Sequence, residues 1–121
     1  MRLIEHFDRG AQRWPDRAFL VDGQGELTYA AARASSHRIA NALARAGLAP
    51  GAKAAVYSAN AARSFECVMG LIPAGLVWVP INVRNSIEDS AFTLGNCEVE
   101  LLFYQRAFAD NVAALRARSP A

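Results

Sequence analysis

Lysine is nearly missing from this sequence. Lys53 is the single one, and arginine makes up the rest of the 13 basic residues. The arginines are scattered, so no basic stripe exists to follow a nucleic-acid backbone. Against them stand 11 acidic residues, and the formal net charge is only +2, which also excludes an acidic solvating tail. Charged residues amount to 20%, against roughly 25% in an average soluble domain. Some of the surface is therefore expected to meet another surface.

Cysteine is scarce too. Cys67 and Cys97 lie far apart and outside any CxxC spacing, which leaves no cysteine-framed metal site. Two reduced, half-buried thiols in a cytoplasmic protein are expected. Long apolar runs are absent. The N-terminal segment, MRLIEHFDRGAQRWPDR, is charged throughout and has no signal-peptide core. The longest uncharged stretch, whose apolar part runs Cys67 to Ile81, contains Gly70, Pro73, Gly75 and Pro80. It falls short of the ~20 residues of a spanning helix, so no transmembrane segment is expected. It reads as a buried helix end followed by a buried strand. Catalytic signatures are missing as well: no GxGxxG, no GxxxxGK[ST] and no GxSxG.

What is present is a core and a pattern. Hydrophobic residues make up 53% of 121 positions, enough for one domain and too few for two. Ile4, Phe7, Ala11 and Trp14 recur at helical spacing, and Pro15 closes a helix over 2–13. Ala18–Asp22 and a returning strand from Glu26-Leu27 flank the turn Gly23-Gln24-Gly25, a hairpin. Thr28 is the predicted N-cap of a long helix over Tyr29–Ala46, and Gly47 its stop. Along that helix Arg33, His37, Asn41 and Arg45 form a polar row, with Ala32, Ile39 and Leu43 opposite.

Further on, strands are predicted at Ala54–Tyr57, Val77–Ile81 and Leu101–Tyr104. Between them lie a helix capped by Asn60 and bearing Phe65, Val68, Met69 and Ile72, and a helix Ile87–Asn96 capped by Ser86. A last helix carries Phe108, Val112 and Leu115. Apolar strands alternating with helices specify an open, mostly parallel α/β sheet covered on both faces, preceded by the short helix and hairpin.

No constellation of side chains announces a reaction. His37 belongs to a polar helix face, and Glu66, Glu88 and Asp89 sit at helix starts or polar faces. Asn82 is placed to bond its own turn backbone, and Tyr29 and Trp78 are read as packing residues. Arg84 follows a strand and precedes a helix, the region of an open α/β sheet where ligands gather.

Several segments, in order, resemble the adenylate-forming (AMP-binding) superfamily of acyl-CoA synthetases, aryl-CoA ligases, luciferases and peptide-synthetase adenylation domains. These are Leu27-Thr28-Tyr29 with its Ala-rich helix, Gly47-Leu48 with Pro50-Gly51, Asn60, and the run Gly70-Leu71-Ile72-Pro73-Ala74-Gly75 through Pro80-Ile81-Asn82. Arg84, Glu88 and the strand at Glu100–Tyr104 follow. Ala31, Ala32 and Pro73 depart from the family's usual residues. Asn82-Val83-Arg84 is similar to the Asn-x-Arg of acyl-CoA synthetases, where peptide-synthetase domains usually carry Asp.

The resemblance implies that residues 1–121 are the N-terminal, incomplete portion of a large AMP-binding domain. The whole enzyme would join a carboxylic acid to AMP from ATP with Mg²⁺ and pass the acyl group to CoA. Arg84 would meet CoA phosphates. The phosphate-binding loop and the catalytic lysine of the family fall beyond these motifs, so the chain alone is expected to be inactive and to hold no cofactor. The remainder of such an enzyme is its expected partner, and by itself the chain is expected to form a homodimer. The alternatives are a stand-alone interaction module and a peptide-synthetase-type fragment.

Overall fold

The computed structural model describes residues 2–118. The chain runs α1 (Leu3–Arg13), β1 (Ala18–Asp22), β2 (Gly25–Thr28), α2 (Tyr29–Arg45), β3 (Lys53–Tyr57) and α3 (Ala62–Leu71). Then come β4 (Val77–Pro80), α4 (Ile87–Asn96), β5 (Leu101–Tyr104), a single 3₁₀ turn (Arg106–Phe108) and α5 (Ala109–Arg118). β1 and β2 form an antiparallel hairpin, and the other three strands form a parallel sheet in the order β4-β3-β5.

Side-chain alternation along β3 and β5 divides the core. Ala54, Leu101 and Phe103 face one way and pack with Leu43 of α2 and Leu71 of α3. Tyr57 and Leu102 face the other way and pack with Ile87, Ala91 and Leu94 of α4 and Val112 and Leu115 of α5. Both faces of β3 are thus covered, and Ala54, Ala55 and Tyr57 have no exposed surface. α2 and α3 approach so closely that a Cβ on Gly70 would lie 2.4 Å from Ile39 Cγ2. A third cluster joins Phe7, Phe19, Leu27 and Tyr29 to Ala32 and Met69, fastening α1 and the hairpin to α2 and α3.

The structure corrects four expectations. Trp14 leaves the α1 stripe. It is 44% exposed beyond the helix end, with the guanidinium carbons of Arg13 and Arg17 at 4.9 and 5.4 Å from its ring centre. β4 is not a buried strand, because it lies at the sheet edge among the described residues; Val77 and Trp78 are each 46% exposed, and only Val79 is buried. Trp78 is therefore no core residue. Asn60 does not cap α3. The N-cap position is Ala61, without a side-chain bond, and Asp22 Oδ2 at the end of β1 accepts from Ala62 N–H at 3.1 Å instead. The caps expected at Thr28 and Ser86 are present: they accept from Ala31 and Asp89 N–H, each at 3.1 Å.

Candidate functional site at the carboxyl ends of the parallel strands

Three parallel strands deliver three loops to one end of the sheet. The segment after β3 brings Ser58, Ala59 and Asn60, and the segment after β4 brings Ile81 to Asn85. Gln105 follows β5. The first two line an open cleft of about 650 Å³ with Ser58, Asn60, Asn82, Arg84 and Asn85 on its walls. Crevices at this end are where open α/β sheets take ligands, because the helix starts and the free backbone groups of the loops converge there.

Asn82 shapes the turn that carries Arg84. Its Oδ1 accepts from Arg84 N–H at 2.9 Å, and its carbonyl accepts from Asn85 N–H at 3.0 Å. An amide side chain closing its own turn in this way leaves the next residues projecting from a rigid loop. Arg84 is exposed and is the only charged residue lining the cleft. It forms no ion pair among the described residues. A guanidinium without a carboxylate partner, on a polar wall, offers forked, charge-assisted hydrogen bonds to a phosphate.

Ser58, on the opposite wall, is held from behind by Ser64 and Gln105. Gln105 Oε1 accepts from Ala59 N–H at 3.2 Å, and Ser64 Oγ–H donates to Ser58 Oγ at 2.6 Å. Gln105 N–H in turn donates to Tyr57 carbonyl at 3.0 Å. The loops after β3 and β5 are thereby locked together. Sequence reasoning had not singled out these three residues. The only signal was a polar side chain directly after β3 and β5, at Ser58 and Gln105. The pairing of Gln105 with Ser58 and Ala59 joins positions 46 or more apart in the chain and is visible only in three dimensions.

Beside the cleft runs an apolar groove of about 470 Å³ between the hairpin, α3 and β4, walled by Leu20, Val21, Phe65, Val68 and Trp78. Asp22 sits at its rim. Hydrogen bonds from Gln24 N–H and then from Ala62 N–H hold its carboxyl below the usual aspartate range. On the other side of α3, burial pushes the Cys67 thiol up, with the carboxylate of Glu66 adding to the shift. Cys67 and Cys97 are both half-buried and unbridged.

The described residues do not fit Mg-ATP. They include no group of three or more His, Cys, Asp or Glu side chains able to hold a metal ion, and no glycine-rich loop lines the cleft. Lys53 stands at the start of β3, at the opposite end of the sheet. Among the described residues no helix is long and apolar enough to cross a membrane.

The fold is a parallel α/β sheet with an open polar cleft, lined by one charged residue, at the carboxyl ends of its strands. The chain belongs to the AMP-binding enzyme family, whose pattern it matches over residues 7–120. It is 29% identical over 106 residues to a medium/long-chain-fatty-acid–CoA and 3-oxocholest-4-en-26-oate–CoA ligase of Mycobacterium marinum. That match covers 88% of this chain and 19% of the relative. A fatty acid–[acyl-carrier-protein] ligase of Streptomyces coeruleorubidus is 34% identical over 119 residues, covering 98% of this chain and 23% of that protein. In three dimensions the chain superposes on a crystal structure described as a long-chain-fatty-acid CoA ligase of Rhodopseudomonas palustris. The TM-score is 0.90 at 26% identity, over 97% of this chain and 30% of the other. The chain thus spans about a fifth of the length of these two sequence relatives.

Proposed function

We propose that residues 1–121 form the N-terminal part of the large domain of an ATP-dependent acid–CoA ligase that works in the cytoplasm, and that Arg84 contacts the phosphates of CoA. The observation that carries the reading is the Asn82-Val83-Arg84 turn. The Asn82 side chain holds the backbone of this turn, and Arg84, which forms no ion pair among the described residues, lines the cleft at the carboxyl edge of the sheet. In this reading the intact enzyme uses ATP and Mg²⁺ to convert a carboxylic acid to its acyl-adenylate, with loss of pyrophosphate. The CoA thiol then displaces AMP to give the thioester. The residues described here supply none of the groups for adenylation. They supply a wall of the cleft and one cationic contact that draws in and orients a phosphate.

The test is Arg84→Ala in the full-length enzyme. Loss of one exposed charge-assisted contact is worth about 1–2 kcal/mol. The apparent KM for CoA should rise about tenfold, while acid-dependent ATP–pyrophosphate exchange stays nearly unchanged. An unaltered KM for CoA would return Arg84 to a solvated turn. The similarity to a carrier-protein ligase supports a second reading. There the acyl acceptor is the phosphopantetheine arm of a carrier protein, as it is for peptide-synthetase-type domains. Acyl transfer to a carrier protein but not to free CoA would select it.

A further inference from the structure

The cleft wall across from Arg84 is held by two residues that do not line the cleft. Gln105 has both backbone groups tied. Its N–H donates to Tyr57 carbonyl at 3.0 Å, and its carbonyl accepts from Phe108 N–H at 2.8 Å. A residue anchored in this way aims its side chain from a fixed origin. Gln105 Oε1 accepts from Ala59 N–H at 3.2 Å and lies 3.2 Å from Ser58 Oγ. The Ser58 hydroxyl also has Ala59 carbonyl at 2.8 Å, so its one proton is divided between two acceptors. Ala59 N–H has Gln105 as its only acceptor among the described residues. From the other side Ser64, in the first turn of α3, donates to Ser58 Oγ at 2.6 Å. Ser58, Ala59 and Asn60 line the cleft, whereas Gln105 and Ser64 stand behind them.

We infer that Gln105 and Ser64 are positioning residues for the ligand of this cleft, acting through Ser58 and Ala59 to fix the wall across from Arg84; that this ligand is the acyl acceptor rests on the ligase reading. Residues 58–60 belong to no helix or strand, so no ladder of backbone bonds sets their course. Their place is set by side chains that β5 and α3 bring to them. Asn60 follows directly, exposed and unused by α3, and it presents a free amide on this wall. A wall ordered before the ligand arrives spares the binding step the entropy of ordering it. Loosening the wall therefore weakens the hold on the ligand. It leaves adenylation alone, since the described residues supply no group for that step. The Gln105 bond to Ala59 N–H is the sharpest probe of the arrangement, because that N–H has no second acceptor to fall back on.

The experiment uses the full-length enzyme. The KM of the acyl acceptor (CoA, or a carrier protein where CoA is refused), kcat and hydrogen exchange at Ala59 are measured together. Gln105→Leu keeps the bulk of the side chain and removes the acceptor. It should speed exchange at Ala59 about tenfold and raise the acceptor KM about fivefold, with kcat within about twofold. Gln105→Glu retains the acceptor oxygens and should restore slow exchange at Ala59. Ser64→Ala should move exchange and KM in the same direction by smaller factors, and it serves if Gln105→Leu does not fold. A lower melting temperature with an unmoved acceptor KM would mean a role in stability alone and would overturn the inference. So would parental exchange at Ala59 in Gln105→Leu. Arg84→Ala separates this inference from the arginine contact. If it leaves KM unmoved while Gln105→Leu raises KM, the wall positions the acceptor and only the arginine contact fails. If Arg84→Ala raises KM and Gln105→Leu does not, the ligase reading stands and the positioning role falls.

Discussion

Asp22 shows how one side chain can serve two elements. Its Oδ1 accepts from Gln24 N–H at 2.9 Å inside the hairpin turn, and its Oδ2 accepts from Ala62 N–H at 3.1 Å in the first turn of α3. The carboxylate thus closes a turn and caps a helix 40 residues away, and both bonds favour its ionised form. The sign of the pH effect follows. A carboxyl whose folded pKa lies below its unfolded one stabilises the fold above the unfolded value, near the ordinary ~4 of aspartate. That stabilisation is lost as pH falls through the lower, folded value. Asp22→Ala should therefore be less stable than the parent at pH 7, with the gap narrowing as pH falls below 4. Urea melts at pH 7 and at a series of acid pH values would check this. A gap that does not change with pH would mean that Asp22 acts through packing rather than charge. Asn60 stands beside this cap, exposed and unused by α3. A local reading prefers the nearest polar residue as a cap. The fold instead brings a stronger acceptor from the hairpin.

At the scale of elements, three helices end by one device. Leu48 N–H donates to Leu43 carbonyl, Leu76 N–H to Leu71 carbonyl and Val99 N–H to Leu94 carbonyl. Each is the six-to-one bond of a Schellman motif, which needs a left-handed residue just before the donor. Two helices use glycine there, Gly47 (φ 82) and Gly75 (φ 73), but α4 uses Glu98 (φ 55). A side chain in that region clashes with its own carbonyl. Glu98→Gly should stabilise the fold by about 1 kcal/mol, and Gly47→Ala should destabilise it by a similar amount. Thermal melts of the two variants check both signs together, since an effect of general surface change would not oppose itself. The glycine stops and the caps at Thr28 and Ser86 are legible in the sequence because they are local. Their donors and acceptors lie within one or two turns of chain.

At the scale of the molecule, the cleft has a charge to offer a phosphate but no cradle for a triphosphate. Only Arg84 is charged there, and no glycine-rich run supplies converging N–H groups. Calorimetry of the 121-residue chain with Mg-ATP should show no binding at micromolar concentrations. Micromolar affinity would mean that residues outside the cleft described here bind nucleotide.

Sequence by itself determined the kinds and order of the elements, the caps at Thr28 and Ser86, the glycine stops and the Asn82 turn. These depend on side-chain periodicity and on bonds between neighbours, which are written in consecutive residues. It also carried the ordered motifs of the AMP-binding family. Only the tertiary structure decided that β3 lies between β4 and β5 among the described residues, and that Trp78, read as a packing residue, stands half exposed. Only the fold joined Gln105 to Ser58 and Ala59, Asp22 to Ala62, and Asn111 to the buried Tyr57 hydroxyl. Strand order is set by how crossovers carry β4 and β5 to opposite sides of β3. An apolar run of four residues reads the same whether one edge or both are paired.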